Sequence, residues 1–376
     1  MRVALAHDWM TTYAGSERVV EELLAVWPDA ELLTSVLDAE ALPPPLRRAR
    51  PSFLQRIPGA ARHHRALLPL MPAAWRLRRP LAGVDAVVAS SHACANAVRA
   101  ASGVPLVSYC HTPMRYAWNF ESERERVPAP LRPGAAVAMT WFRGWDRRTS
   151  RRVTRFLANS SAVAARIARA YGRSAEIVHP PVRTDFFTPG DERGDEFLYV
   201  GRLVSYKRPD VAVEAFAGLD ARLLVVGEGR LAPGLRARAT SNVRFAAPVD
   251  RDELRTLLRR ARALVVTGEE DFGITMAEAQ ACGTPVVAFA GGGALDIVEH
   301  GRTGWLVERQ RADEFRGAIR RAAVEELDPG EIRRRTERFS HLRFRDEVRA
   351  AVERTVEEER RRPRAHATRA AAASRR

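Results

Sequence analysis

The chain has 376 residues, of which 46% are hydrophobic and 28% charged, and these values exclude a disordered or fibrous protein. The length predicts two domains. No apolar stretch is long enough to span a bilayer, and the N-terminus reaches His7 and Asp8 too early for a signal peptide, so we expect a cytoplasmic protein. Three widely separated cysteines argue against a disulfide framework or a structural zinc site.

The net charge of +15 is unevenly distributed. Residues 1–185 carry 26 basic and 15 acidic side chains, residues 186–359 carry 28 and 31, and residues 360–376 carry seven and none. A basic N-terminal half indicates an anionic partner, for which nucleic acid and an anionic membrane surface both stay open. Every basic residue is arginine except Lys207, which is therefore a candidate for a site that needs a compact ammonium group; chance survival is the alternative.

Strands and helices alternate along the first half of the chain. The N-terminal apolar run ends in polar residues and is followed by a helix with Gly15 and Ser16 at its start and Glu17 in its first turn. Further strands are predicted at residues 84–91, 104–111 and 175–182. Residues 155–172 are predicted to form a short strand and then a helix that ends at Gly172. Such alternation indicates a parallel sheet in an α/β architecture.

The same alternation starts again after a polar linker at residues 187–196. Strands are predicted in FLYVGRL, ARLLVVGEG, NVRFAAPV, ALVVTG and TPVVAFAGGG, and helices in the segments between them. We therefore predict two Rossmann-like domains, at residues 1–186 and 187–340. A further helix is predicted at residues 341–359, and the basic tail at residues 360–376 has too few large apolar residues to be ordered.

The interval from residue 46 to residue 80 departs from this pattern. Arginines there alternate with Phe, Leu, Met and Trp, and prolines divide the segment into short pieces. Two interpretations stay open. The segment is either a pair of surface helices with apolar faces packed inward, or an interfacial element that places Leu, Met and Trp in lipid while arginines contact phosphates.

Two cations follow the first strand of the second domain. Gly201 ends the predicted strand, and Arg202 and Lys207 share the next loop. Cations this close repel each other, at a cost of about 1 kcal/mol or more when partly buried, and an anion between them removes that cost. A diphosphate fits, because Arg chelates oxygens in pairs and Lys supplies a point charge. Two solvated surface cations are the alternative.

Two glutamates, Glu270 and Glu278, lie eight residues apart in GEEDFGITMAEAQACGTPVV. Gly273 between them allows backbone amides to approach a ligand closely. A helix that begins near Gly273 would point free N–H groups at a phosphate. Carboxylates beside backbone donors suit recognition of sugar hydroxyls. The DFG string is not a kinase motif, since the accompanying kinase segments are absent from the sequence.

The run from residue 201 to residue 307 closely resembles the donor-binding domain of retaining glycosyltransferases of family 4, which have the GT-B fold. The matching pieces are GRLVSYKRPDVAVEAF, LLVVGEG, the E-x7-E block and AGGGALDIVEHGRTGWLV. The N-terminal HDW…GSERVVEEL, SFLQRIPGAARHHR and YCHTPMRYAW resemble the mannosyltransferase branch that builds O-antigen and other polysaccharides. The resemblance implies two Rossmann-like domains that face a central cleft, with a C-terminal helix that crosses back to the N-terminal domain.

The resemblance also implies a role for each candidate residue. Arg202 and Lys207 stabilise the leaving diphosphate, Glu270 binds the sugar hydroxyls, and His111 contacts the donor sugar; a purely structural His111 is the alternative. The remaining implied donor-binding residues are Gly15, Gly201, Gly227, Val249, Phe272, Gly273, Ile274 and Glu278. Among them Glu278 binds the ribose, Gly15 approaches the phosphates from the N-terminal domain, and Val249 contacts the base through its backbone.

The implied reaction requires no metal cofactor, because two cations and a helix N-terminus stabilise the charge on the diphosphate. The acceptor attacks from the face that the phosphate leaves, so the anomeric configuration is retained. One DxD string, which binds metal in other glycosyltransferases, is present as Asp250-Arg251-Asp252. It opens a predicted helix, so we interpret Asp250 as its cap.

The expected reaction is transfer of a hexose, with mannose from GDP-mannose as the first choice, to a lipid-linked saccharide or polysaccharide acceptor. The enzyme is expected at the inner face of the cytoplasmic membrane. Two other functions stay open. A binding protein could use the basic half and tail on nucleic acid, although no specific recognition motif is present. A sugar-nucleotide epimerase would also have a Rossmann domain, and the missing GxGxxG after the first strand argues against an NAD enzyme.

Overall fold

A computed structural model describes residues 1–118, 132–190 and 193–373, with residues 133 and 362–373 described by their backbone alone. The chain divides into two compact units: unit 1 comprises residues 1–159, 163–179 and 344–376, and unit 2 comprises residues 160–162 and 180–343. The division after His179 precedes the predicted boundary, because Val182 and Phe187 pack in the core of unit 2. Residues 191 and 192 of the predicted linker lie outside the described residues.

Unit 1 contains a six-stranded sheet in which all paired strands are parallel, in the order β2-β1-β3-β4-β5-β6. The strands are β1 (Val3–His7), β2 (Glu31–Thr34), β3 (Ala86–Ser91), β4 (Leu106–Cys110), β5 (Arg155–Ala158) and β6 (Glu176–Ile177). Both faces of β1, β3 and β4 are buried, which explains their unbroken apolar runs. The sequence analysis missed β2, whose four residues are too short to show a period.

Helices cover the sheet of unit 1, and the first of them begins at Gly15 as predicted. The helices are α1 (Gly15–Val26), α2 (Met71–Arg76), α3 (Arg115–Trp118), α4 (Arg132–Ser150) and α5 (Ser161–Tyr171). The Glu17 carboxylate accepts hydrogen bonds from the Ala14 backbone N–H and the Ser16 hydroxyl, both at 3.0 Å, and so caps α1.

The arginine-rich interval between residues 46 and 80 forms short 3₁₀ turns at Phe53–Arg56 and His64–Leu70, followed by α2. Met71 and Trp75 are fully buried in the core of unit 1. The interfacial interpretation was therefore wrong for these two side chains, which pack inward. Leu70 and Leu77 are exposed, so part of the apolar surface does face solvent.

A buried carboxylate, Asp146 of α4, joins three elements of unit 1. Its Oδ2 accepts hydrogen bonds from Trp118 Nε1 and from the Tyr171 hydroxyl, each at 2.7 Å. Burial raises the pKa of Asp146 to about 6, and the two hydrogen bonds oppose that rise. The folded protein therefore favours the protonated acid at moderately low pH.

We expect this raised pKa to make stability depend on pH. Protonated Asp146 adds to the free energy of unfolding, because the folded protein binds this proton more tightly than the unfolded chain does. This stabilisation is fully present below pH 4 and is lost as the pH rises through 6. Asparagine does not titrate, so Asp146→Asn lacks this pH dependence. From pH 4 to pH 7 the unmodified protein should therefore lose about 3 kcal/mol of unfolding free energy relative to Asp146→Asn. Urea titrations at both pH values measure this difference, and a difference that does not change with pH would contradict the assignment.

Unit 2 also contains six parallel strands, in the order β12-β11-β10-β7-β8-β9. The strands are β7 (Phe197–Val200), β8 (Leu223–Val226), β9 (Val243–Ala246), β10 (Leu264–Val266), β11 (Val286–Phe289) and β12 (Gly304–Val307). This is the Rossmann strand order, with β7 in the first position. The prediction of a Rossmann-like second domain is confirmed.

Unit 2 has helices α6 (Pro209–Ala215), α7 (Ala232–Arg238), α8 (Arg251–Arg260), α9 (Ile274–Ala281), α10 (Ala294–Ile297), α11 (Ala312–Val324) and α12 (Pro329–Thr336). Asp250 caps α8 as predicted, because its side chain accepts a hydrogen bond of 2.9 Å from the Glu253 N–H.

The last helix, α13 (His341–Ala373), begins where the sequence predicts and continues past the predicted end at Glu359. From Phe344 onward it belongs to unit 1, where Phe344, Val348 and Val352 pack in the core. Its Arg345 donates a hydrogen bond of 2.5 Å to Glu22 of α1. The predicted return of this helix to the N-terminal domain is confirmed.

Candidate functional site

The candidate site of unit 2 lies where its strand order reverses. The chain passes from β7 to β8 on one side and from β10 to β11 on the other, so the loops after β7 and β10 separate at the carboxyl edge of the sheet. Ligands of such sheets bind at this switch point. The two loops carry Arg202 and Lys207 after β7, and Glu270 after β10.

Lys207 and Glu270 form an ion pair across this switch point. Lys207 Nζ lies 2.6 Å from Glu270 Oε1, and the two side chains are 21% and 22% exposed. The Thr267 hydroxyl donates to the Arg208 carbonyl at 2.6 Å, which ties the loop after β10 to the loop after β7. The structure therefore brings two of the predicted residues into contact.

Arg202 has a different partner. Its guanidinium is exposed, donates a hydrogen bond to the Tyr206 hydroxyl and lies 5.8 Å from the centre of the Tyr206 ring. From the sequence, Arg202 and Lys207 are predicted to repel each other until an anion lies between them. In the structure each cation already has a partner within unit 2, because Glu270 neutralises Lys207 and Tyr206 holds Arg202.

Glycines allow neighbouring loops at this edge of the sheet to pack backbone against backbone. A Cβ on Gly227, which has a φ of 143°, would lie 2.0 Å from the Gly201 carbonyl oxygen. A Cβ on Gly268 would lie 2.6 Å from Lys207 Cα, and one on Gly292 would lie 2.1 Å from the Glu270 carbonyl oxygen. The positions of Lys207 and Glu270 thus depend on neighbours that have no side chain.

We expect Gly227→Ala to cost about 3 kcal/mol of unfolding free energy or more, because both the backbone conformation and the contact with Gly201 oppose a side chain. Gly218→Ala is the matched control in unit 2. Gly218 has a φ of 74° with open space around its Cβ, so only the conformational cost of about 1–2 kcal/mol applies. Denaturant midpoints measure both variants, and equal losses would contradict the packing argument.

The helix that follows Glu270 is α9, and Gly273 precedes its first residue with a φ of 91°. Glu270 lies before the helix and Glu278 lies inside it, in the order that the sequence predicts. Glu278 and Phe272 are buried, and Ile274 is partly buried.

The remaining predicted donor residues also lie near strand ends. Gly201 directly follows β7, and Gly227 directly follows β8. Val249 lies three residues beyond β9 instead of at its end, because the strand stops at Ala246. Its partly buried side chain packs against the apolar cluster that includes Leu258.

Unit 1 has a second cluster of polar side chains, again at the switch point of its sheet. The chain leaves β1 toward β2 on one side and β3 toward β4 on the other. At the ends of these strands, His7 Nδ1 lies 3.0 Å from the Ser90 carbonyl oxygen and 3.1 Å from Ser90 Oγ. His7 Nε2 lies 3.4 Å from Glu17 Oε1. Both imidazole nitrogens thus face acceptors.

The electrostatics of the cluster shift the pKa values of His7 and His111 in opposite directions. Burial disfavours the charged form of His7, but the hydrogen bond and charge of Glu17 outweigh it and raise the pKa of His7. For His111, burial and the neighbouring His92 and His7 lower the pKa well below 6.5.

Ser90 connects these two histidines. Its Oγ lies 2.8 Å from His111 Nε2. His7 donates to Ser90, so we assign the hydroxyl hydrogen of Ser90 to His111 Nε2 and the proton of neutral His111 to Nδ1. The backbone also fixes His111, because its N–H donates to the Ser91 carbonyl and its carbonyl accepts from Asn159.

Gly15, the one predicted donor-binding residue of unit 1 besides His111, lies at the start of α1 and is partly exposed.

The Glu17–His7–Ser90–His111 chain of contacts was not predicted from the sequence. One signal for it was present, since β3 ends in polar Ser90 and Ser91 although the rest of the strand is apolar. The partner of Arg202, Tyr206, was also missed. Among the described residues, no group of three His, Cys, Asp or Glu side chains could hold a metal, and no helix has the length and hydropathy that crossing a membrane requires.

Two parallel α/β units, each with polar side chains at its switch point, define a two-domain α/β protein. Two family models match along it: Glycosyltransferase Family 4 over residues 13–186 and Glycosyl transferases group 1 over residues 183–339. The chain therefore belongs to the glycosyltransferases of family 4.

Curated relatives match part of the chain. The D-inositol 3-phosphate glycosyltransferase of Mycobacterium avium is 35% identical over 167 residues, which cover 38% of this chain and 39% of the relative. The enzyme of Mycolicibacterium paratuberculosis is 36% identical over 167 residues, with 38% of each chain covered. The chain thus matches about two fifths of the length of these relatives.

Solved structures share the fold along nearly the whole chain. HepE of Anabaena, in complex with UDP and glucose, has a TM-score of 0.70 at 16% identity, with 94% of this chain and 99% of that chain covered. Sucrose-phosphate synthase from Thermosynechococcus elongatus has a TM-score of 0.66 at 18% identity, with 98% and 100% covered. These similarities confirm the predicted GT-B fold.

Proposed function

We propose that this chain is a retaining glycosyltransferase that moves a hexose from a nucleotide sugar to a lipid-linked saccharide. The observation that carries the proposal is the pairing of Lys207 with Glu270 at the switch point of unit 2, with Arg202 in the same loop. An ammonium group beside a carboxylate can serve both parts of such a donor, the diphosphate and the sugar.

Donor binding exchanges the partners of this pair. The diphosphate takes Lys207 and Arg202 as counterions, because its charge exceeds that of one carboxylate. Glu270 is then free to accept hydrogen bonds from the sugar hydroxyls, while the backbone N–H groups of Phe272, Gly273 and Ile274 donate to the hydroxyl oxygens. The family resemblance assigns Glu278 to the ribose, Gly201, Gly227, Val249 and Gly15 to the rest of the donor, and His111 to the sugar.

In the reaction, the bond between the anomeric carbon and the diphosphate oxygen breaks with both electrons remaining on the diphosphate. Lys207 and Arg202 stabilise the charge that develops there, so the step requires no metal ion. The acceptor oxygen forms the new bond on the same face and gives its proton to the leaving phosphate oxygen. The configuration at the anomeric carbon is therefore retained.

The base and the hexose remain predictions. The mannosyltransferase-like N-terminal segments favour GDP-mannose, whereas structural neighbours are described in complex with UDP, glucose and UDP-glucose. We propose GDP-mannose as the first donor to test and UDP-glucose as the second. The basic N-terminal half favours an acceptor on an anionic membrane surface, at the inner face of the cytoplasmic membrane.

The test is incubation of the purified protein with each donor and a lipid extract, with EDTA present, followed by detection of the free nucleotide and the glycosylated lipid. Release of GDP or UDP together with a lipid product of retained configuration supports the proposal. Interconversion of the sugar nucleotide without an acceptor would instead indicate an epimerase. A salt-sensitive shift of DNA without donor turnover would indicate a nucleic-acid-binding protein.

A further inference from the structure

A cavity of about 420 Å³ in unit 1 is lined by four arginines, Arg76, Arg99, Arg148 and Arg152. Its other lining residues are Pro72, Ala97, Trp145 and Thr149. The volume is in the range of ligand pockets. No acidic side chain is among the lining residues, although aspartate and glutamate pair with many of the arginines elsewhere in the described chain.

The four guanidinium groups have no anionic partner in the part of the chain that the structure describes. All four residues are exposed, and the one side-chain hydrogen bond recorded for them runs from Arg99 to the Arg76 carbonyl at 3.4 Å. Four like charges around one cavity repel each other, and an anion inside it would remove that repulsion. Planar guanidinium groups bind the oxygens of a phosphate in pairs.

The cavity is separate from the histidine cluster of unit 1. Its arginines lie on the segments that return to the amino ends of the strands: Arg76 precedes β3, Arg99 precedes β4, and Arg148 and Arg152 precede β5. His7, Ser90 and His111 lie instead at the carboxyl ends of β1, β3 and β4. The cavity therefore requires an explanation other than the glycosyl transfer at those strand ends.

From this geometry we propose that Arg76, Arg99, Arg148 and Arg152 form a binding site for a phosphate group, separate from the histidine cluster of unit 1. The phosphate can belong to a lipid headgroup or to a soluble compound. Helix α4 carries two exposed apolar side chains on the face that lines the cavity. Trp141 and Val137 lie four and eight residues before Trp145 and are 54% and 73% exposed. The test therefore includes binding to lipid vesicles. Exposed tryptophan beside arginine is the pattern of a membrane interface.

The experiment compares two double variants of the full chain that each remove two positive charges from unit 1. Arg148→Gln/Arg152→Gln changes the cavity. Arg62→Gln/Arg169→Gln changes two exposed arginines outside it, for which the described structure records no ion pair. Binding to phosphatidylcholine vesicles is measured with and without phosphatidic acid, and binding of inorganic phosphate and pyrophosphate is measured by calorimetry.

We expect the cavity variant to lose at least tenfold in affinity in one arm while the control loses less than threefold. Loss in the vesicle arm alone identifies a lipid headgroup, and loss in the calorimetric arm identifies a soluble phosphate compound. Equal losses in the two variants, or no binding by the unmodified protein, would overturn the proposal. Arg148→Lys/Arg152→Lys keeps the charges and should lose affinity only partly, which provides a second test if the Gln variant does not fold.

This test is independent of the proposed function, because neither arm uses a donor sugar. Pyrophosphate that binds near Lys207 in unit 2 would do so equally in both double variants. The difference between them therefore reports on the cavity alone.

Discussion

Replacement of Lys207 by alanine should lower kcat/KM for the nucleotide sugar by about 10²-fold or more. In the proposed reaction the Lys207 ammonium group stabilises the charge that develops on the departing diphosphate, and loss of one such preorganised group typically has this effect. The variant also leaves Glu270 without its partner at 2.6 Å, so an unpaired carboxylate would repel the diphosphate. Steady-state kinetics with saturating acceptor measure the effect.

A matched control for this variant is Arg302→Ala, which removes one exposed cation from unit 2 outside the loops of the site. Its kcat/KM should stay within twofold of the unmodified value. Near-normal turnover by Lys207→Ala would remove Lys207 from the mechanism.

The ion pair also predicts that Glu270→Gln separates two effects. Without its carboxylate partner, Lys207 is free for a diphosphate, so a nucleoside diphosphate that lacks the sugar should bind a few-fold more tightly. Turnover of the complete donor should nevertheless fall, because Glu270 is assigned to the sugar hydroxyls. Weaker binding of the sugar-free nucleotide would contradict the exchange of partners on donor binding.

His111→Ala removes the imidazole group and should lower kcat by about 10²-fold. An effect of this size is typical of a positioned side chain at a reacting centre. We expect Ser90 to act through His111 as a positioning residue, since its Oγ lies 2.8 Å from His111 Nε2. Ser90→Ala should therefore lower kcat about tenfold, which is the worth of one buried hydrogen bond. Its KM for the donor should change little.

Ser90→Thr is the control for this chain of contacts, because it keeps a hydroxyl group at the same position. It should restore most of the kcat that Ser90→Ala loses. If Ser90 only fills space in the buried strand, both variants will change thermal stability without this difference in kcat.

The sequence predicted the fold to the extent that each part depends on local pattern. Buried strands such as β3 and β7 appear as continuous apolar runs, and Gly273 marks the start of α9. The four-residue β2 carries no period that could reveal it. The full extent of α13 beyond residue 359 could not be predicted either, since the arginine- and alanine-rich segment there has no apolar face.

The candidate site was predicted as a set of residue types and not as a set of contacts. Glycines and cations in the loops after the strands of unit 2 indicated a phosphate site, and the switch point of the sheet brings those loops together. The pairing of Lys207 with Glu270 depends on residues 63 positions apart, and the contact of Ser90 with His111 on strands that are neighbours only in the folded sheet. Such contacts follow from topology, which local spacing does not contain.

The central claim is that the Lys207 loop binds the diphosphate of a nucleotide sugar. The measurement that tests it most directly is calorimetric titration of the unmodified protein and Lys207→Ala with GDP and with UDP, both in EDTA. The account predicts that one nucleotide binds the unmodified protein at one site per chain without metal, and that Lys207→Ala binds it at least tenfold more weakly. Binding of neither nucleotide, or equal binding by both proteins, would contradict it.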